Sequence, residues 1–203
     1  VKGAFAHFAD QGYTTFSSTY KTRQAMVYVG ANDGMLHAFY AADGKVDAAT
    51  GLTVSSGGVT VVGGDEAWAY VPSFVMPNLY KLADKDYALQ HQYFVDGTPE
   101  ISDICISSCS TAGAVWKTIL VGGLNAGGKG YYALDITNPM APKALWEFTD
   151  TNLGYTFGNP KIVKLKTGTW VVLFTSGYNN IGDGVGRLYV LDAATGTLIN
   201  AIS

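Results

Sequence analysis

The apolar residues of this chain occur in short uninterrupted blocks, which are separated by polar stretches that contain glycine. Two clear blocks are residues 119–121 (Ile-Leu-Val) and residues 171–174 (Val-Val-Leu-Phe). Continuous apolar runs of this length are typical of strands that are covered on both faces. Because stacked sheets cover both faces of a strand, the pattern predicts short strands in sheets that pack against one another.

The same order of features occurs twice in the second half of the chain. Each copy has a strand after proline, an apolar strand led by tryptophan, a glycine-rich turn, a tyrosine-containing strand that ends in Leu-Asp, and a further strand. The first copy predicts strands at residues 99–106, 116–122, 130–136 and 143–148, and the second at residues 160–165, 170–176, 187–192 and 197–202. Four short antiparallel strands per copy are typical of a β-propeller blade.

A third, less regular copy precedes these two, with apolar segments at residues 26–30, 35–39 and 67–71. The sequence therefore predicts an all-β fold, a partial β-propeller of four-stranded antiparallel blades over residues 26–203. About two and a half to three blades are present, whereas propellers close with about four to eight. An open arc would expose apolar flanks, so we expect the natural chain to continue beyond Ser203. Residues 1–25 are predicted to be a separate lead-in segment, to which the pattern assigns no role.

One segment, residues 76–84 (Met-Pro-Asn-Leu-Tyr-Lys-Leu-Ala-Asp), interrupts the strand pattern. Leu79 and Leu82 are three positions apart and would share one face of a short helix. We therefore expect a short helical insertion that packs against the sheets.

The composition excludes several classes of function. The chain has 203 residues, of which 14% are charged, and its formal net charge is −3. No basic field is available for nucleic acid, so no nucleic-acid partner is predicted. No run of about 18 apolar residues occurs, so no membrane-spanning segment is predicted. The 25 glycines and the 13% aromatic content agree with short strands and tight turns.

Residues 123–130 (Gly-Leu-Asn-Ala-Gly-Gly-Lys-Gly) nearly match a phosphate-binding loop. That motif needs a hydroxyl residue after the lysine and a helix after the loop. Here Gly130 follows the lysine, and residues 131–136 have the pattern of a strand. A glycine-rich hairpin turn is the favoured interpretation.

Cys105 and Cys109 are the only cysteines in the chain. A metal site would need about four ligands, and no second pair of cysteine or histidine residues accompanies them. Two interpretations stay open, a small disulfide that fixes a turn and a pair of reduced thiols. An oxidising compartment would favour the disulfide.

No catalytic constellation is present in the sequence. His37 lies in a predicted strand close to Asp33, but no Gly-x-Ser-x-Gly nucleophile turn occurs. A structural hydrogen bond is therefore the favoured role for His37. Asp135 and Asp192, which end the tyrosine-containing strands, are interpreted as caps of the turns that follow them rather than as acids or bases.

The nearest calcium candidate is the loop that contains Asn179, Asn180 and Asp183. Calcium loops place Asp or Asn at every second position, and tight binding needs several carboxylates. This loop holds one carboxylate, so an ordinary blade turn is favoured and no metal site is predicted.

Several segments resemble one known family. Residues 27–39 (Val-Tyr-Val-Gly-Ala-Asn-Asp-Gly-Met-Leu-His-Ala-Phe) are similar to the signature that opens the C-terminal propeller of PilY-type, or PilC-type, type IV pilus proteins, and this signature includes the turn Asn32-Asp33-Gly34. The resemblance covers most of residues 12–199. It also includes residues 67–72, 78–82, 94–99, 116–124, 132–135, 145–148 and 153–158.

The resemblance implies an exported protein at the pilus tip or outer surface of a bacterium. It implies that the protein supports pilus assembly by opposing retraction and that it binds pilus-tip components, minor pilins and, in some members, host surfaces. Export would favour the disulfide between Cys105 and Cys109. The family binds calcium through an Asp-rich loop that has no clear match here, so calcium is expected from the resemblance alone and no cofactor is identified in this segment.

Two alternatives to a non-enzymatic pilus protein remain. Quinoprotein dehydrogenases, which use pyrroloquinoline quinone, have blades that end in turns similar to residues 191–196. In that family a tryptophan follows such a turn and docks between blades, whereas Leu198 stands at the expected position here. The other alternative is a generic propeller scaffold with an unrelated partner.

Overall fold

The computed structural model describes residues 10–203, so the first part of the predicted lead-in segment lies outside the described residues. Within these residues one α-helix, α1, spans Tyr13–Thr19, and two 3₁₀ helices span Met76–Ala83 and Tyr87–Leu89. The strands are β1 Met26–Gly30, β2 Leu36–Tyr40, β3 Gly44–Val46, β4 Val59–Val61, β5 Glu66–Tyr70, β6 Glu100–Ser107, β7 Val115–Gly123, β8 Tyr131–Asp135, β9 Lys143–Phe148, β10 Lys161–Lys164, β11 Trp170–Thr175, β12 Leu188–Asp192 and β13 Leu198–Ile202.

The strands form three blade-like sheets and one small hairpin. The first sheet has the order β1-β2-β5, the second β6-β7-β8-β9 and the third β10-β11-β12-β13, while β3 pairs with β4. All neighbouring strands are antiparallel. The predicted partial propeller is confirmed, and each predicted strand of the two regular copies overlaps an observed strand.

The hydrophobic core lies between the sheets. One cluster joins the second and third sheets, where the rings of Trp116 and Trp170 lie 6.0 Å apart and those of Tyr131 and Phe174 lie 3.9 Å apart. A second cluster joins the first and second sheets around Phe94 and other buried residues. The uninterrupted apolar run 119–121 is explained by this arrangement, because β7 of the second sheet contacts a neighbouring sheet on each flank.

The three sheets can be aligned with one another by the positions of their β-bulges. In each sheet a bulge interrupts the pairing with the last strand, directly after one residue pair that the three sheets have in common. The equivalent pairs are Ala38 with Trp68, Ala133 with Trp146 and Val190 with Asn200. By this alignment β1, β2 and β5 correspond to β7, β8 and β9, so the first sheet has no counterpart of β6 among the described residues.

Tryptophan side chains connect consecutive sheets. Trp68 Nε1 donates a hydrogen bond to Pro139 O at 2.8 Å, and Trp146 Nε1 donates one to Ala193 O at 3.0 Å. Both acceptors lie in the turn that follows the third strand of the next sheet. In the third sheet the residue at the equivalent position is Asn200, and not Leu198 as the sequence pattern suggested. A tryptophan therefore docks on the next sheet from each of the first two sheets, whereas asparagine stands at this position in the third.

The insertion between the first two sheets is helical, as the sequence predicts, although its turns are 3₁₀ rather than α-helical. Leu79 and Leu82 pack against the core cluster of the first and second sheets. The sequence did not predict α1, which precedes the first sheet and has no fully buried residue of its own.

Candidate functional site

The loops fall at two ends of the stacked sheets, because antiparallel strands alternate in direction. We call one the connection end, which holds the segments that lead into the next sheet, and the other the hairpin end. The connection end consists of residues 31–35, 71–99, 124–130, 149–160 and 176–187, and the hairpin end includes residues 108–114 and 136–142. Most of the residues that the sequence singles out lie at the connection end.

The signature turn Asn32-Asp33-Gly34 joins β1 to β2 at the connection end. Asn32 Oδ1 accepts a hydrogen bond from Phe94 N at 3.1 Å, which ties the turn to the segment that leads into the second sheet. Gly34 has φ +97°, and a Cβ there would lie 2.3 Å from Leu79 Cδ2 in the insertion. The turn therefore has an architectural role, since it fixes both the connecting segment and the insertion against the first sheet.

His37 lies between two carboxylates, on the face of the first sheet that points away from the second sheet. Its Nε2 is 2.8 Å from Asp33 Oδ2, and its Nδ1 is 2.9 Å from Glu66 Oε1. Burial alone would lower the pKa of His37, but the hydrogen bonds and charges of Glu66 and Asp33 outweigh it, so the pKa is raised above 6.5. Both ring nitrogens are occupied, and the predicted structural hydrogen bond is confirmed.

The His37 contacts make stability depend on pH. Because the folded-state pKa of His37 is raised, its contribution is fully present below pH 6.5 and is lost as the pH rises through the folded-state value. Asp33 and Glu66 are partly exposed, so we expect a contribution below about 1 kcal/mol. Urea unfolding at a series of pH values should show a His37→Gln penalty that shrinks at alkaline pH. A penalty that does not change with pH would contradict this ion-pair role.

The glycine-rich segment 123–130 is a hairpin loop, because β7 and β8 pair antiparallel from Gly123 and Tyr131 onward. The predicted hairpin is confirmed, and a strand rather than a helix follows the loop. Lys129 Nζ lies 5.4 Å from the centre of the Tyr155 ring and contacts the carbonyl oxygen of Asn179. Lys129 thus bridges neighbouring loops, a role that differs from that of a phosphate-binding lysine.

The calcium candidates Asn179, Asn180 and Asp183 lie in the β11–β12 loop. The Arg187 guanidinium forms a fork with the Asp183 carboxylate, with Nη1 2.7 Å from Oδ1. This hydrogen bond, with that from the Val185 N–H, lowers the pKa of Asp183. Asn180 Oδ1 accepts a hydrogen bond from Gly184 N at 3.1 Å. The loop's own groups therefore use the oxygens that a cation would need, and the loop does not fit calcium.

No grouping of three or more His, Cys, Asp or Glu side chains suited to a metal ion occurs within residues 10–203. In the same range, no helix is long and apolar enough to span a membrane.

The aspartates after the tyrosine-containing strands are turn caps. Asp192 Oδ1 accepts hydrogen bonds from Ala194 N at 3.0 Å and Thr195 N at 2.9 Å. Asp135 accepts one from Thr137 N and forms an ion pair with Lys117 at 2.7 Å. Burial alone would raise the pKa of Asp135, but Lys117 and Thr137 outweigh it and lower the pKa. The predicted structural role is confirmed for both residues.

The structure joins Cys105 to Cys109 by a disulfide at the hairpin end. The Cys109 carbonyl accepts a hydrogen bond from Gln11 N at 2.9 Å, and Trp116 Nε1 donates one to Gln11 O at 2.8 Å. The disulfide therefore shapes the β6–β7 hairpin that receives the lead-in segment. Residues 110–113 of this hairpin stay exposed.

Residues 10–25 bridge β6 and β10, the first strands of the second and third sheets, which we call the innermost strands. Tyr13 Oη donates a hydrogen bond to Asp103 Oδ2 of β6 at 3.0 Å, and Asp10 forms a buried ion pair with Lys164 of β10. Asp103 and Lys164 occupy equivalent positions in the two sheets, since they pair with Thr118 and Trp170. Sequence reasoning missed this contact, although aromatic residues at helical spacing in residues 13–20 were a usable signal.

Comparison with known proteins gives a consistent result. The family described as the PilY1 beta-propeller domain matches residues 4–203. The type IV pilus biogenesis factor PilY1 of Pseudomonas aeruginosa is 38% identical over 190 residues, which are 92% of this chain and 14% of that protein. A PilY1 homolog of Xylella fastidiosa is 39% identical over 182 residues, 87% of this chain and 10% of that protein.

A solved structure is also similar. The crystal structure of the Pseudomonas aeruginosa PilY1 C-terminal domain superposes with a TM-score of 0.68 at 34% sequence identity. The match covers 94% of this chain and 32% of that chain. The present chain thus spans about one third of the solved domain and a smaller share of the full-length relatives.

Proposed function

This chain belongs to the PilY1 β-propeller family, and on that premise we propose that it is a rigid, non-enzymatic platform of a type IV pilus biogenesis factor. The observation that carries the proposal is the way the sheets are locked together. Tryptophan hydrogen bonds join consecutive sheets, and the connection-end loops interlock through Asn32 and Thr156. A rigid stack of this kind presents loops in fixed positions for binding.

The exposed insertion at the connection end, taken here as residues 76–93, is the proposed contact surface. Tyr80 is 72% exposed and Leu89 is 86% exposed, and Met76 and Tyr93 are also more than half exposed. Large apolar side chains on a surface segment are typical of protein-binding sites. The proposed partners are pilus-tip components and minor pilins, and the proposed effect is to oppose pilus retraction. Host-surface adhesion through the same exposed side chains is a second proposed role.

We place the protein outside the cytoplasm, at the pilus tip or outer surface. The disulfide between Cys105 and Cys109 supports export, because such bonds persist in oxidising compartments. The relatives are named as type IV pilus biogenesis factors, and a role in pilus biogenesis agrees with this location. Calcium binding is proposed for the family member as a whole from the resemblance alone, and the Asp183 loop of this segment does not supply a site for it.

Further sheets of the same polypeptide are proposed to cover the flanks of this stack. Val27 is 53% exposed, whereas Leu120 and Val172, at the equivalent positions of the second and third sheets, are fully buried. On the opposite flank Leu188 and Ile202 are exposed. We therefore propose that residues 26–203 are part of a longer propeller that continues after Ser203.

The pilus role is tested by changing the exposed insertion in the full-length protein. Tyr80→Ser combined with Leu89→Ser removes apolar surface without touching the core, so the protein should be exported normally. We expect surface pili, counted by electron microscopy, to fall several-fold, and to return when the retraction motor is also deleted.

Ile181→Ser is the matched control, since Ile181 is 80% exposed at the same end but outside the insertion. It should leave piliation unchanged. Normal piliation in the double variant would contradict the contact surface, and normal piliation after deletion of the whole gene would contradict the pilus role. Dye reduction after addition of pyrroloquinoline quinone would instead support the dehydrogenase alternative.

A further inference from the structure

A cleft of about 450 Å³ lies at the connection end, between the insertion and the glycine-rich loop. Its lining comes from three segments, which are the insertion with Phe94 beside it, the β7–β8 loop and the connection between β9 and β10. The lining side chains include those of Asn78, His91, Gln92, Tyr93, Lys129 and Tyr155. Small-molecule sites are typically concave, with volumes of about 300–1,000 Å³ and a few polar groups in fixed positions. The size and lining of this cleft agree with such a site.

Aromatic rings line the cleft and continue beyond it. His91 and Tyr93, on the insertion, have ring centres 5.2 Å apart, and Tyr93 is 52% exposed. The rings of Tyr155 and Tyr178 have centres 5.7 Å apart, and Tyr178 stacks on Phe157 at 5.4 Å. Phe157 and Tyr178 are 45% and 55% exposed. A ligand in the cleft therefore meets accessible ring surface both inside it and next to it.

The polar ends of the lining side chains are not used by the protein. Within residues 10–203 no protein group forms a hydrogen bond with the side-chain amide of Asn78 or with the hydroxyl groups of Tyr93 and Tyr155. Lys81 Nζ donates a hydrogen bond to Gln92 Oε1 at 3.1 Å, which fixes the orientation of that amide. In the same range the Gln92 N–H donors have no protein acceptor. Amide and phenol groups that can both donate and accept hydrogen bonds therefore border the cleft.

The charges around the cleft favour a neutral ligand. Among the described residues that line it there is no Asp or Glu, and the permanent positive charge is that of Lys129. Lys129 Nζ contacts the carbonyl oxygen of Asn179 and lies 5.4 Å from the centre of the Tyr155 ring. The protein itself therefore already uses this charge, and little of it remains for an anionic ligand.

We propose that this cleft binds a neutral oligosaccharide. A sugar ring has an apolar face of C–H groups, which packs on aromatic rings, and hydroxyl groups around its edge, which pair with amides and phenols. The cleft offers both kinds of partner, and the exposed rings of Phe157 and Tyr178 extend it for further sugar units. Hydrolysis of a glycosidic bond needs a pair of carboxyl groups. Since the described lining holds none, the proposed activity is binding without cleavage.

Two other classes of ligand fit the cleft less well. Phosphate groups are bound by helix N-termini or by cationic side chains, whereas a strand follows the glycine-rich loop and Lys129 is already engaged. A peptide would need apolar anchoring pockets, whereas the lining residues Val75 and Phe94 are each only 2% exposed.

Saturation-transfer difference NMR on the full-length protein tests for binding. The probes are maltotriose, cellotriose, chitotriose and lacto-N-tetraose at millimolar concentration. We expect transfer to the ring C–H protons of at least one probe, because these protons would pack on the aromatic rings. Cellotriose represents plant and bacterial β-glucans and lacto-N-tetraose represents animal surface glycans, so the probe that binds also indicates the source of the ligand. The absence of transfer to all four sugars would overturn the proposal.

Three variants of the full-length protein test whether the sugar occupies this cleft, with the Kd of the bound probe measured by titration calorimetry. Tyr155→Ala removes a ring and should raise the Kd about tenfold. Asn78→Ala removes an amide that the described protein does not use and should raise it about fivefold. Tyr80→Ala is the matched control, since Tyr80 is 72% exposed on the same insertion but does not line the cleft, and its Kd should not change. An unchanged Kd in Tyr155→Ala or in Asn78→Ala would overturn the proposal.

The saccharide site goes beyond the proposed pilus role and is tested separately from it. The changes at Tyr80 and Leu89 that test piliation lie outside the lining of the cleft. Loss of piliation in that double variant should therefore leave the Kd for the sugar unchanged, and a failure of either proposal is visible without the other.

Discussion

Trp146→Ala is expected to destabilise the protein by about 3–5 kcal/mol, the usual cost of removing a large aromatic side chain from a core. Trp146 is 8% exposed and packs in the cluster that joins the second and third sheets. Its ring lies against Gly196, where a Cβ would come within 2.8 Å of three Trp146 atoms. The side chain thus contributes both to the core and to the contact between sheets, and urea unfolding would measure the loss.

Two variants separate these contributions. Trp146→Phe keeps most of the ring but leaves Ala193 O without its 3.0 Å hydrogen bond, so it should cost less, about 1–2 kcal/mol. Asn200→Ala changes the exposed residue at the equivalent register of the third sheet and should stay within about 0.5 kcal/mol. A loss below about 1 kcal/mol for Trp146→Ala would show that docking of this residue does not hold the sheets together.

Gly127→Ala is expected to cost about 3 kcal/mol, although the substitution adds a single methyl group. A Cβ at this position would lie 1.7 Å from Phe94 O and 2.4 Å from Phe94 C. Backbone atoms cannot rotate away as a side chain would, so the connecting segment must shift. Phe94 is 2% exposed, and its N–H binds Asn32 of the signature turn, so the shift would also disturb the first sheet.

Gly186→Ala is the matched control for this prediction. Gly186 lies in the β11–β12 loop, and apart from its own atoms and its two chain neighbours no atom lies within 4 Å of the position of its added Cβ. Its unfolding free energy should change by no more than about 0.5 kcal/mol. Similar urea midpoints for Gly127→Ala and the unsubstituted protein would contradict the close contact between the glycine-rich loop and the segment that contains Phe94.

These two predictions concern the same property, the rigidity of the stack. Trp146 joins sheets through their core, and Gly127 lets two connection-end loops approach closely. Both features keep the sheets and their connecting loops in fixed positions, and the exposed residues Tyr80 and Leu89 lie on one of these connections. Destabilised variants would therefore reduce piliation indirectly, which is why the surface changes at Tyr80 and Leu89 are the more direct test of function.

The fold was predictable from sequence because its signals are local and repeated. The apolar runs 119–121 and 171–174 lie within β7 and β11. The glycine-rich segment 123–130 could be distinguished from a phosphate-binding loop because the residues after it have a strand pattern. The cap roles of Asp135 and Asp192 depend on backbone groups two or three residues away, and such contacts can be inferred without a tertiary structure.

The candidate site was less predictable because its contacts join distant segments. The sequence placed His37 beside Asp33 but gave no sign that Glu66, on another strand, would occupy its second ring nitrogen. The Asp183 loop had the composition of a poor calcium site, and the structure added that Arg187 already holds its carboxylate.

The sequence by itself determined the repeated sheets, their order and their family, since strand periodicity and turn residues are encoded within each copy. The tertiary structure alone decided how the copies fit together. It places Trp146 against the next sheet and joins the lead-in segment to β6 and β10 through Asp103 and Lys164. It also leaves β1 paired with β2 alone among residues 10–203. The physical reason is that such contacts depend on register and distance between segments far apart in the chain, which local patterns do not specify.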